Sequence, residues 1–96
     1  MPRYLIERVY GQVEEEAMQN IGQRMKQVAI EQFPDVAWEH SHLVTDESGI
    51  KSFCVYEAPS EERIREHGDM VRDHTIVRIY QIEGDVTPAD FTADRA

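Results

Sequence analysis

The strongest constraint in this chain is the order in which its hydrophobic period changes. A two-residue alternation gives way to a three- and four-residue one, then two alternating runs follow back to back, then a second helical period and a last alternating run. Each switch of period marks a switch between strand and helix. The order is therefore strand, helix, strand, strand, helix, strand. In 96 residues there is room for one core only. The compact solution is an α+β, ferredoxin-like split βαβ sandwich: four antiparallel strands with two helices over one face. Residues 1–84 are expected to form this single domain, and 85–96 an acidic tail in which Phe91 is the only large anchor.

Arg3 to Tyr10 is rich in aromatic and β-branched residues and stops at Gly11. Alternation sets Tyr4, Ile6, Arg8 and Tyr10 on one face and Leu5, Glu7 and Val9 on the other. From Glu14 to Phe33 the apolar residues Ala17, Ile21, Met25, Val28, Ala29 and Phe33 recur at helical spacing, with acidic residues in the first turn. Gly22 is costly inside a helix, by about 1 kcal/mol relative to Ala, and close approach of a neighbouring backbone is the expected reason. Val36 to Thr45 alternates Trp38, His40, His42 and Val44 against Glu39, Ser41 and Leu43. A turn at Asp46–Gly49, with a loop of about five residues, joins it to a strand over Ser52–Ala58. Ser60 caps a helix carrying Ile64, His67 and Val71 on one face, expected to be short or to fray near Asp69, since Gly68 falls before its end. Thr75 to Glu83 is the fourth strand.

Composition narrows the function classes. Nineteen Asp and Glu against ten Lys and Arg give a formal charge of -9. Nucleic acid and anionic membrane surfaces both demand a basic footprint, so neither is an expected partner. No apolar run approaches the roughly 18–20 residues of a membrane span, and the N-terminus lacks the pattern of a secretory signal. With Cys54 as the only cysteine there is no intrachain disulfide, and a cytoplasmic location is expected. The second face of the sheet carries large apolar residues, and pairing two sheets in a homodimer is the expected way to cover it.

Three groups of side chains carry candidate chemistry. His40 and His42, two apart on a strand, point to one side, and neutral imidazole is the commonest ligand for zinc, copper and nickel. Further donors would come from Glu7, Glu57 or a partner subunit; the plainer reading is a polar surface strand. His67 lies on the apolar face of the second helix, either as a core residue bonded to backbone or as a ligand or general base facing Glu57 or Glu7. Tyr56, Arg8, His42 and Glu57 are candidates to line a small-molecule pocket. Cys54, flanked by Phe53 and Val55, reads as buried and inert.

Several stretches together resemble a family of small bacterial proteins of uncharacterised function, some of whose members are described as nickel-binding. They are Met1–Arg8, Trp38–Asp46 (Trp-Glu-His-Ser-His-Leu-Val-Thr-Asp), Phe53–Pro59 and Glu62–His67. The resemblance implies a ferredoxin-like dimer, and the polar positions that follow its pattern are Glu7, Arg8, His40, Ser41, Tyr56 and His67. His42 departs from it, since an aromatic residue is commoner there, and so does the segment Gly68–Asp73. The combined expectation is a homodimer binding a divalent transition metal, Ni2+ first, through His40, His67 and Glu7, for sequestration or sensing. The alternative is a dimeric α+β barrel enzyme or small-molecule-binding protein with a pocket between sheet and helices.

Overall fold

The computed structural model describes residues 1–91. Its elements follow the expected order: β1 (Arg3–Gly11), α1 (Glu15–Gln32), β2 (Ala37–Asp46), β3 (Gly49–Glu57), α2 (Glu61–Val71) and β4 (Thr75–Ile82), with a short 3-10 turn at Pro88–Asp90. The strands form one antiparallel sheet in the order β2-β3-β1-β4, which with two helices is the ferredoxin-like arrangement. Of the expected tail, residues 92–96 lie outside the described part.

The pleat of β1 sets the layers. Tyr4, Ile6 and Arg8 are buried while Leu5, Glu7 and Val9 are only half so. Opposite them on β3, Tyr56, Cys54 and Ser52 are buried too. These residues face the helices: Tyr4, Ile6, Cys54 and Tyr56 form one cluster with Phe33 from the end of α1 and Ile64 from α2. Ile21 and Met25 of α1 meet Val71 of α2 in a second cluster. Ser60 caps α2 by accepting the Arg63 N–H at 3.3 Å. The Arg63 side chain grips Asp35 through two bonds of 3.0 and 3.2 Å and lies 4.4 Å from the Phe33 ring. That clamp ties the start of α2 to the loop behind α1, and the guanidinium holds the Asp35 carboxyl below its ordinary range.

Four local expectations are corrected. The hairpin is tighter than the sequence suggests: Asp46 pairs with Gly49, leaving Glu47 and Ser48 as the turn. Asp46 organises it by accepting the Ser48 N–H at 2.8 Å. The second helix runs on through Gly68 to Val71, and β4 approaches so closely there that a Cβ on Gly68 would stand 2.8 Å from Ile76 Cδ1. Gly22 has the opposite explanation from the one expected: a Cβ there would meet nothing within 4 Å, and the position opens onto a cleft. Finally, a bulge between Trp38 and His40 breaks the simple alternation of β2. Trp38 stays on the helix side, stacked on Tyr56 at 6.3 Å, while His40 and His42 turn to the open face beside Val55 and Phe53.

Gly49 is the position least able to accept a side chain. Its φ is +118°, and a Cβ would fall 2.2 Å from the Gly11 carbonyl oxygen at the end of β1. Gly49→Ala is expected to destabilise the fold by about 2 kcal/mol or more, lowering the melting temperature by about 10 °C. Gly84→Ala, where the added carbon meets open space, should leave it unchanged in the same thermal scan.

Candidate functional site

The pleat and the bulge together divide the expected site residues between two faces of the sheet. Glu7, His40, His42 and Glu57 belong to the open face. Arg8, Tyr56 and His67 belong to the helix side, all three fully buried. His40 and His67 are therefore separated by the sheet itself. Glu7 sits in a row with Phe53 and His42, two strands from the histidine, which at about 4.8 Å per strand is about 10 Å. Among the described residues no three His, Cys, Asp or Glu side chains come together as a metal cluster. The set His40, His67 and Glu7 is thus not assembled within one chain.

His67 is built into the core. Its Nε2 lies 2.9 Å from the Met25 carbonyl oxygen, joining α2 to α1, and its ring packs edge-on to Phe33 at 5.5 Å and tilted against Tyr56 at 5.9 Å. A carbonyl oxygen only accepts, so Nε2 carries the proton, and Nδ1 is left buried without a partner. Burial pushes the imidazole pKa below its usual value and keeps the ring neutral.

On the open face His40 and His42 are exposed, with ring centroids 5.3 Å apart and planes near perpendicular. The carboxylate next to them, Glu39, is already engaged: Arg3 reaches across from β1 and grips it at 2.9 and 3.1 Å while also meeting Asp85 at 2.8 Å. Arg3 holds the Glu39 carboxyl below the ordinary range, so it is a screened anion rather than a free ligand. Glu57, half-buried on β3 opposite Ala37, makes no such pair among the described residues.

Of the expected pocket residues, the structure brings Arg8 and Tyr56 together and leaves His42 and Glu57 on the far face. Arg8 Nη1 donates to the Tyr56 hydroxyl at 3.2 Å, and lies 3.5 Å from Met25 Sδ and 3.6 Å from Cys54 Sγ. Among the described residues no carboxylate accompanies this guanidinium; its carbon lies 5.2 Å from the centre of the Tyr56 ring, and its Nε and Nη2 have no hydrogen-bond partner. Beside it, α1 leaves β2 uncovered, and a cleft of about 290 Å³ opens between α1, β2 and β3. Its walls include Tyr10, Met18, Gly22, Trp38 and Leu43, residues that strand alternation alone did not collect. Tyr10 and Ser52 line it as a bonded pair at 2.7 Å. Gly22 was the one signal in the sequence, an unexplained glycine in a helix interior.

Comparison with known proteins bears on these features. The model of the SCO4226-like family, described as nickel responsive protein SCO4226-like, matches residues 4–82. No curated protein matches the chain. Among solved structures, SCO4226 from Streptomyces coelicolor A3(2) is similar with a TM-score of 0.67 at 15% identity, covering 88% of this chain and 99% of that one. At that identity the likeness shows a shared fold.

The buried imidazole makes stability depend on pH in a defined direction. The native state resists protonation of His67, whereas the unfolded chain takes up a proton near the ordinary value of about 6.5. Stability should therefore fall as pH drops below about 6.5 towards the lower folded value, and be fully present above it. His74, also lowered by burial, adds in the same window, while Asp35, Glu39 and Asp46 act only at lower pH, where carboxylates titrate. Urea midpoints between pH 7 and 5 should decline in the native protein and decline less in His67→Gln.

Proposed function

The chain belongs to the SCO4226-like family, and we propose on that premise that it binds nickel as a homodimer, for sequestration or sensing. His40 and His42 of each chain are the ligands in this reading. The observation that carries it is the placement of two exposed imidazoles on one pleat of the open face. Neutral imidazole suits nickel, and two rings per chain are too few to fill its coordination positions. A two-fold partner supplies the same pair again, because an isologous interface sets a patch against its own copy.

The rest of that face has the composition of a contact surface. Leu5, Val9 and Phe53, all half-buried, form its centre beside the buried Val55, and Tyr80, close to half exposed, extends it over β4. Glu7 lies opposite Arg78 in the register, so both signs of charge are present and a second copy can meet complementary groups. Glu57 of each chain is the nearest half-buried carboxylate available to complete the coordination with oxygen. No helix among the described residues is long and apolar enough to cross a membrane.

Sedimentation equilibrium and calorimetric titration test the two parts separately. The native protein should sediment as a dimer and bind nickel in the micromolar range, about 8 kcal/mol. His40→Ala with His42→Ala should weaken nickel binding by about a hundredfold or more while the dimer persists. Phe53→Glu, which plants a charge in the middle of the open face, should give a monomer. Nickel binding that survives loss of both histidines would overturn this reading.

A further inference from the structure

We propose that the cleft between α1 and the β2–β3 hairpin binds a small organic acid, a carboxylate with a compact apolar body, whose charge is met by Arg8. The argument starts from the buried guanidinium. Arg8 has no exposed surface, and an arginine stays protonated in any protein setting. Moving such a cation out of water costs several kcal/mol unless an anion and hydrogen bonds repay it. Here the neighbours are two sulfur atoms and one phenol, and two of its three nitrogens bond to nothing. Among the described residues no carboxylate approaches it, and the face of the Tyr56 ring, 5.2 Å from the guanidinium carbon, carries no formal charge. Burial raises the Tyr56 pKa and lowers those of His67 and His74, so all three remain neutral. Among the described residues no anion meets this cation, and a bound carboxylate would supply one.

The cleft is the route by which it arrives. Met25 and Cys54, whose sulfur atoms touch Arg8 Nη1, are also cleft wall residues, so one layer of side chains separates the cation from the cavity. Methionine is unbranched and adaptable, and a rotamer change in Met25 uncovers the Nη1 and Nη2 edge for a two-point carboxylate contact. The walls define the remainder of the ligand. Met18, Trp38 and Leu43 offer apolar and aromatic surface, with the Gln19 amide and the Tyr10, Ser41 and Ser52 hydroxyls as its polar groups. A volume of about 290 Å³ suits a body of one ring or a short alkyl chain. An inorganic oxyanion would leave these walls unfilled, and a metal cation would be repelled.

Gly22 is an independent sign that the space is kept. The helix forgoes propensity there, and no neighbouring backbone requires it, since a Cβ would meet nothing within 4 Å. What the glycine does is hold the cleft open. This site lies on the opposite side of the sheet from His40 and His42, so its failure and that of the nickel reading are separate results.

Trp38 is the only tryptophan and lines the cleft, so its fluorescence reports occupancy. Phenylacetate and hexanoate are titrated, each beside its amide. At least one acid should bind about tenfold or more tightly than its own amide. Arg8→Met should abolish that preference and raise the melting temperature of the ligand-free protein, because an uncompensated charge is gone. Gly22→Leu should fold, melt higher and bind neither acid nor amide. Equal binding of each acid and its amide, no binding of either acid, or undiminished binding to Gly22→Leu would each overturn the proposal. So would an Arg8→Met protein that folds but melts lower, which would make Arg8 a structural strut. If Arg8→Met does not fold, Gly22→Leu and the amide comparison still decide.

Discussion

Strand β1 is hydrogen-bonded along both edges, to β3 on one side and to β4 on the other. A strand held on both sides cannot slip by one residue without turning every side chain to the opposite face. Its register therefore fixes which residues of the whole sheet look towards the helices. Tyr4, Ile6 and Arg8 go in, and with them their β3 partners Tyr56, Cys54 and Ser52. The apolar members of that set build the core with Phe33 and Ile64. Arg8 goes in with them because its position in the pleat leaves it no alternative.

The sheet is covered unevenly, and the two candidate sites follow from that. Above β1 and β3 the helices bury the pleat. Over β2 they do not, and ten successive residues of that strand include only one, Ser41, that is even half-buried. Trp38 and Leu43 are left lining a cleft instead of completing a core. Below the sheet nothing in the described chain covers the open face. An apolar centre with paired charges around it remains available there, with the two histidines at one side.

The bulge in β2 shows how much one residue decides. Without it, Trp38, His40 and His42 would share a face, and the tryptophan would stand beside the imidazoles. With it, the indole stacks over Tyr56 and donates to Ser41 at 2.8 Å, while both histidines turn away from the core. Glu39 falls within the irregularity and reaches Arg3 across the sheet. Aromatic surface is thereby assigned to the cleft and imidazole to the opposite face, which keeps the chemistry of the two faces apart.

By itself the sequence determined the order of the elements, the antiparallel fold, the capping of α2 by Ser60 and which residues of β1 share a face, because periodicity and turn chemistry are local. It also flagged Arg8, Tyr56, His40 and His67 as residues whose polarity needs explaining. What it did not contain is where those residues stand relative to one another. His40 and His67 are grouped by type in the sequence and divided by the sheet in space. The bulge that reorients β2 leaves no mark on its composition, since Glu39 suits a regular strand as well as an irregular one. The close approach of Ile76 from β4 to Gly68, which leaves no room for a Cβ there, is a contact made only once the sheet is assembled. The lack of a carboxylate beside Arg8 among the described residues is likewise a fact about packing: the chain is rich in acidic residues, and only the fold decides that none of the described ones reaches this cation.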